Sequence, residues 1–289
     1  MSTARAFEVT LSDGATLMCN VVGEGTPVLW VSGLSGVASF WESICTELDG
    51  VMSITFDQRG LRASKRGESP ASVDLLARDA VAILDALGIE QAHVVGHSTG
   101  GCIAITMALA APTRISSLIL SGSWAGPHLY LDALFGWRLK LLETDPHLYE
   151  AIGPFLSNTS QWLIDHPQHL SASKALTAQT VSGAPAVPAT PATQPAPWSG
   201  ERIRVIKERI GALMAFDRRQ ELDRLTPPCL VLGARDDVVI PLFLQEELAR
   251  LIPNATLKVF EQGAHFFPRS QSLAFVDLVR AWLASNHHG

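Results

Sequence analysis

Short apolar runs and helix-like runs alternate through the first 123 residues, and this alternation constrains the fold more than any other feature. "PVLWVSG" (Pro27–Gly33), "VMSITFD" (Val51–Asp57), "QAHVVG" (Gln91–Gly96) and "ISSLILSG" (Ile115–Gly122) are nearly continuous apolar runs. Such runs suit strands buried on both faces of a parallel sheet. Between them lie "SFWESICTELDG" (Ser39–Gly50), "SVDLLARDAVAILDALGI" (Ser72–Ile89) and "STGGCIAITMALAAP" (Ser98–Pro112), which read as helices. In the second, Leu75, Leu76, Val81, Ile83, Leu84 and Leu87 form one apolar face and Gly88 is the stop signal. Ahead of these, "FEVTL" and "TLMCNVV" flank "SDGA", and Asp-Gly between two such runs predicts a hairpin.

The alternation stops after Ser123 and resumes with "PCLVLGARDD" (Pro228–Asp237), "LFLQEELARLI", "ATLKVFEQ" and "SLAFVDLVRAWLAS". These read as strand, helix, strand and closing helix. The expected architecture is α/β: a mostly parallel sheet with helices on both faces, built from residues 1–123 and 216–289. Residues 124–215 are expected to form an inserted helical cap. Within it, 183–198 is Pro-rich, with prolines at 185, 188, 191, 195 and 197. That spacing breaks helices and central strands. The segment reads equally well as a tolerated surface insertion and as a lid over a site.

Composition narrows the function classes. Apolar residues at 47% and charged residues at 17% indicate a folded globular chain. A net charge of −6 without a Lys/Arg cluster gives no attraction for nucleic acid or an anionic membrane. The start, "MSTARAFEVT", lacks an apolar signal region, and the run "CIAITMALAA" is too short to span a bilayer. Cys19, Cys45, Cys102 and Cys229 are scattered with no CxxC pair. The expectation is a cytoplasmic protein with free thiols, no metal and no cofactor, as monomer or homodimer.

"HVVGHSTGG" (His93–Gly101) is the strongest local signal. A buried strand ends at Gly96 and a helix begins after Ser98, so Ser98 occupies a tight strand-to-helix turn. Only small side chains fit two positions to either side of such a residue, which accounts for Gly96 and Gly100. The turn lifts the serine hydroxyl at the carboxyl edge of the sheet, where open α/β sheets place ligands.

A serine nucleophile needs a base, and the base needs an orienting group. Of nine histidines, His287 and His288 are terminal, His128, His147, His166 and His169 fall in the expected cap, His93 opens a strand, and His97 is directed away from Ser98. His265 in "FEQGAHFFP" remains, at the carboxyl end of the last strand with Gly263 and Ala264 around it. The orienting acid belongs in a loop at the same edge. The loop "SGSWAG" has no carboxylate, whereas "LVLGARDDVVIP" offers Asp236 and Asp237. One of them would orient His265 while the other holds the loop.

The order Ser98, Asp236/Asp237, His265 around "GHSTG" resembles the α/β-hydrolase superfamily over essentially the whole chain. "FDQRG" (Phe56–Gly60) resembles that superfamily's Asp-x-Arg-Gly turn, and "SGLSG" (Ser32–Gly36) stands in the place of its His-Gly loop, with Ser32 replacing the histidine. The resemblance implies an eight-stranded sheet. It also implies an acid four residues before a proline, and Pro241 then selects Asp237. The implied oxyanion hole is formed by the backbone N–H groups of Thr99 and Leu34.

"SGLSG" with "FDQRG" is most similar to the enol-lactonase and aminoacrylate-hydrolase group. That similarity implies a serine hydrolase cleaving a small apolar ester or lactone. Gly33, Trp124, Tyr130 and Val239 are the candidate substrate-binding residues. Phe135, Trp137, Phe155 and Trp162 are expected to pack inside the cap, and Arg138 and Lys140 to lie on the surface. Two alternatives use the same scaffold: perhydrolase, haloperoxidase-like or lyase chemistry, and a ligand-binding receptor.

Overall fold

A computed structural model describes residues 4–171, 173 and 198–286. Strands β1 (Arg5–Thr10) and β2 (Thr16–Val22) form the antiparallel hairpin, with Thr10 opposite Thr16. Gly14, at φ 79°, makes the turn between them, a conformation glycine adopts without steric cost. β3 (Thr26–Val31), β4 (Val51–Phe56), β5 (Ala92–His97), β6 (Ile115–Ser121), β7 (Cys229–Ala234) and β8 (Thr256–Phe260) complete one eight-stranded sheet. The strand order is β1-β2-β4-β3-β5-β6-β7-β8. β2 runs antiparallel to β4, and every later pairing is parallel.

Successive side chains of a strand point to opposite faces, and the sheet uses this to separate two apolar layers. Leu29, Val31 and Val94 belong to one buried cluster, while Val28, Trp30 and Val95 belong to the other. Helices cover both layers. These are α1 (Glu42–Cys45), α2 (Val73–Ala86), α3 (Thr99–Ala110), α4 (Leu129–Thr144), α5 (Pro146–Ser157), α6 (Ser160–Asp165), α7 (Gly200–Met214), α8 (Leu242–Leu251), α9 (Phe267–Ser270) and α10 (Ser272–Ser285). Residues of α2 and α3 fill the first layer, and Phe275, Val276 and Val279 of α10 fill the second. Ser72 caps α2 by accepting a hydrogen bond from the Leu75 N–H at 3.1 Å, and Gly88 stops the chain at φ 65°.

The region expected to be a helix over Ser39–Gly50 is shorter. It contains a 3-10 turn, Ala38–Phe40, and then α1. The Thr46 hydroxyl donates back to the carbonyls of Glu42 and Ser43 at 3.3 and 3.1 Å, which competes with continued helix.

Between β6 and β7 the described residues contain helices α4 to α7 and no strand. Most of the Pro-rich segment 183–198 lies outside the described residues. At its end, the Trp198 indole donates to Glu150 at 3.1 Å. Two aromatics expected to pack inside this region do not. Trp137 and Phe155 are about half exposed, because α4 and α5 each bury only a narrow stripe: Leu131, Phe135 and Leu142 on α4, and Ala151 on α5.

The "FDQRG" turn has a structural task. Arg59 grips Asp79 of α2 through two hydrogen bonds of 2.6 Å and reaches Asp13 of the hairpin turn at 2.7 Å. This buried ion network ties the hairpin, the β4 loop and α2 together. All four cysteines are buried and unpaired. Among the described residues, no helix is long and apolar enough to cross a membrane.

Candidate active site

Ser98 stands between β5 and α3 with φ 55° and ψ −122°. A non-glycine residue there is strained by about 1–3 kcal/mol, so its surroundings must impose the conformation. They do so by close backbone packing. A Cβ on Gly96 would sit 2.3 Å from the Gly100 carbonyl oxygen, and one on Gly100 would sit 2.0 Å from that of Val31. The Ser98 N–H is fixed by the Ser121 carbonyl at 2.8 Å. Thr99 is the first residue of α3, so its N–H is among those a helix cannot satisfy internally.

The loop after β3 lies directly against this turn. A Cβ on Gly33 would be 3.1 Å from Ser98 Cβ and 3.6 Å from its hydroxyl oxygen. The carbonyls of the loop are held by a polar support, and that of Gly33 also accepts the Gly36 N–H at 2.9 Å. Gln58 donates to the carbonyls of Gly36 (backbone N–H, 2.7 Å) and Ser32 (side chain, 2.8 Å). Arg209, from α7, donates to the carbonyls of Leu34 and Gly33 at 3.0 and 3.3 Å and to Gln58 Oε1 at 2.6 Å. Burial holds its guanidinium down to about 10.

β7 and β8 supply the remaining groups. His265 Nδ1 donates to Asp237 Oδ2 at 2.8 Å; a carboxylate accepts only, so this bond leaves Nε2 as the acceptor of the ring. The other oxygen of Asp237 accepts the N–H groups of Val239 and Ile240 at 2.8 and 2.9 Å. Asp236 points elsewhere: it accepts the N–H groups of Gly263 and Ala264 at 3.0 and 2.9 Å and so anchors the loop that carries His265. The two neighbouring carboxylates therefore divide orienting and anchoring between them. Ala264, at φ 54°, makes the sharp turn this anchoring requires.

His97 contributes more than its position suggested. Its ring lies 4.8 Å from that of His265 and stacks on Phe40 at 4.9 Å. Complete burial, reinforced by the neighbouring His265, pushes its pKa well below the usual histidine range. Ser98, Asp237 and His265 are themselves buried.

The candidate substrate-binding residues are placed unevenly. Gly33 adjoins Ser98. Val239 is buried in the Asp237 loop, and the Tyr130 hydroxyl donates to the Val238 carbonyl in that loop. Trp124 is 1% exposed and packs against Phe135 and Phe216. Arg138 bonds the Tyr149 hydroxyl at 3.1 Å, and Lys140 is exposed. A groove of about 450 Å³ lies elsewhere, between residues 66–74 and 208–218. It is lined by none of Ser98, Asp237 and His265, and most of its charged side chains are paired, among them Arg66 with Glu208 and Arg218 with Asp74. Sequence reasoning missed the support under the loop. Gln58 was within reach as part of "FDQRG", but Arg209 carries no local signal, being 175 residues from Leu34.

The chain is similar to known proteins along most of its length. The family model for the alpha/beta hydrolase fold matches residues 26–268. The RutD protein of Azorhizobium caulinodans, provisionally named a carbamate hydrolase, is 33% identical over 255 residues, covering 88% of this chain and 89% of that one. RutD of Variovorax paradoxus, with the same name, is 33% identical over 261 residues, 87% of this chain and 89% of that one. Among solved structures, the enol-lactonase from Burkholderia xenovorans LB400 superposes with a TM-score of 0.79 at 20% identity, covering 96% of this chain and 100% of that one. A thermophilic esterase from Thermogutta terrifontis does so with a TM-score of 0.79 at 23% identity, covering 98% and 100%. The family match spans most of the chain and the fold agrees along its length: the protein belongs to the α/β-hydrolase fold family.

Proposed function

We propose that this hydrolase is a serine hydrolase that cleaves a small apolar ester or lactone through an acyl-enzyme. The observation that carries the reading is the Asp237–His265 hydrogen bond at the sheet edge that also holds the strained Ser98 turn. Ser98 Oγ attacks the substrate carbonyl. His265 Nε2 takes the hydroxyl proton and later delivers it to the leaving oxygen, and Asp237 holds the tautomer this requires. The N–H groups of Thr99 and Leu34 receive the oxyanion. Water then attacks the acyl-enzyme, with His265 again as base. Gly33, Tyr130 and Val239 would line the acyl site, with Trp124 behind it. In this reading residues 1–123 and 216–289 are the catalytic core and 124–215 a cap.

A carbamate is the second reading, favoured by the names of relatives at up to 33% identity. The chemistry is the same acyl transfer at a carbonyl flanked by nitrogen. The test is a pH-stat assay of the wild type and Ser98→Ala on short esters, lactones and alkyl carbamates. Rapid turnover of one class, lost in Ser98→Ala with folding intact, supports the mechanism and selects the substrate class. Full activity in Ser98→Ala refutes it.

A further inference from the structure

Arg209 is 3% exposed, yet among the described residues its guanidinium meets no carboxylate. The nearby Asp79 is committed to Arg59. Residues 174–197, outside the described ones, contain neither Asp nor Glu. The partners of Arg209 are instead neutral: the carbonyls of Gly33 and Leu34 and the side chain of Gln58. Its Nη1 is buried without a hydrogen-bond partner. Burying an unpaired cation costs several kcal/mol, and an apolar side chain of similar volume would pack there at less cost. The charge therefore calls for an explanation other than packing.

The geometry of the peptide unit supplies one. The described chain has no cis peptide bond, and in a trans peptide the C=O and N–H point in opposite directions. Drawing the carbonyls of Gly33 and Leu34 toward Arg209 turns the N–H groups of Leu34 and Ser35 to the other side of the loop. Gly33 approaches Ser98 closely enough that a Cβ would be 3.6 Å from the hydroxyl. A flip of the Gly33–Leu34 peptide would exchange that N–H for a carbonyl oxygen and present negative charge where the reaction develops it. Glycine on one side of the bond makes such a flip sterically cheap; the Gly36 N–H, 2.9 Å from the Gly33 carbonyl, opposes it inside the loop, and Arg209 adds a charged hold on that carbonyl and on the next one, of Leu34. A cation on the carbonyl also polarises the same peptide and strengthens its N–H as a donor.

We propose that Arg209 is a positioning residue for the oxyanion loop: by holding the Gly33 and Leu34 carbonyls it keeps the Leu34 N–H turned toward the developing oxyanion at Ser98. The inference rests on the serine-hydrolase reading. It places the determinant of the hole on α7, an element outside the sheet strands that carry Ser98, Asp237 and His265. Arg209 acts on the transition state through the loop and does not touch substrate.

The experiment compares wild type, Arg209→Met and Arg209→Lys. A fluorophosphonate probe with mass mapping first reports whether Ser98 is labelled. Steady-state kinetics on 4-nitrophenyl butyrate and the affinity of an alkyl trifluoromethyl ketone follow. Losing one oxyanion donor lowers kcat by about 100- to 1,000-fold. The expected result for Arg209→Met is a kcat loss of about 100-fold with KM nearly unchanged, and a parallel loss of ketone affinity. Arg209→Lys retains a charge but reaches fewer carbonyls, so it restores about tenfold of that loss. If Arg209→Met does not fold, Arg209→Lys decides alone: a tenfold kcat deficit at constant KM supports the proposal, and wild-type kcat overturns it. Arg209 variants that keep wild-type kcat and ketone affinity, or that lose kcat without losing ketone affinity, also overturn it. Absence of Ser98 labelling in the wild type overturns the hydrolase reading itself; labelling at equal rates in all three proteins overturns only the role of Arg209.

Discussion

His265 donates to Asp237 at 2.8 Å across 28 residues of sequence, while Asp236, the adjacent residue, bonds only the backbone of the His265 loop. The two acids sit where the chain turns after β7, closed by the Asp237 N–H on the Ala234 carbonyl at 3.3 Å, and the turn sends their side chains to different partners. One carboxylate therefore reaches the imidazole and the other reaches the chain that carries it.

The two acids should consequently separate in kinetics. Asp237→Asn is expected to lower kcat by about 10,000-fold with little change in folding, because an amide in that position favours the wrong imidazole tautomer. Asp236→Asn is expected to keep kcat within about tenfold and to lose about 1–2 kcal/mol of stability, since it weakens two backbone hydrogen bonds. Kinetics and urea denaturation of both variants check this. Equal kcat in the two would refute the division.

Glycine substitutions should divide by what surrounds them. Gly100→Ala puts a methyl group 2.0 Å from the Val31 carbonyl oxygen and is expected to cost more than about 3 kcal/mol. Gly136→Ala in α4 meets nothing within 4 Å and is expected to stabilise the protein by up to about 1 kcal/mol. Chemical denaturation of both reads the contrast. A benign Gly100→Ala would contradict the close packing at Ser98.

Arg59 should matter for stability rather than chemistry. Its guanidinium and its partner Asp79 are both almost fully buried. Removing one member of a buried pair leaves the other uncompensated, at about 3–5 kcal/mol. Arg59→Met is expected to show that loss in denaturation midpoints. A loss below 1 kcal/mol would mean that the network adds little.

His97 predicts a pH dependence of stability. Its folded pKa lies below the unfolded value of about 6.5, so below that pH the unfolded chain binds a proton that the folded protein refuses. Its contribution is complete above about pH 6.5 and is lost as pH falls toward the folded pKa, at up to about 1.4 kcal/mol per pH unit. His97→Gln should therefore have a shallower stability profile between pH 6.5 and 5 than the wild type. Parallel profiles would show that His97 is not held neutral by the fold.

Features that depend on neighbours along the chain were legible before folding was considered. Strand-helix alternation specified the layered sheet, because burial on two faces demands continuous apolar runs. The hairpin at Gly14 and the turn at Ser98 were legible because glycine spacing reports local backbone geometry. Which of Asp236 and Asp237 meets His265 could not be read from spacing alone. It depends on where two loops converge after β7 and β8, and only the tertiary structure fixes which oxygen faces the imidazole. The helical character of 124–215 was legible, but not the exposure of Trp137 and Phe155 on α4 and α5, since helical character does not say how wide a stripe the core will cover. Arg209 was silent for the most basic reason. A buried cation on α7 has meaning only beside the carbonyls of Gly33 and Leu34, and that adjacency is created by folding across 175 residues.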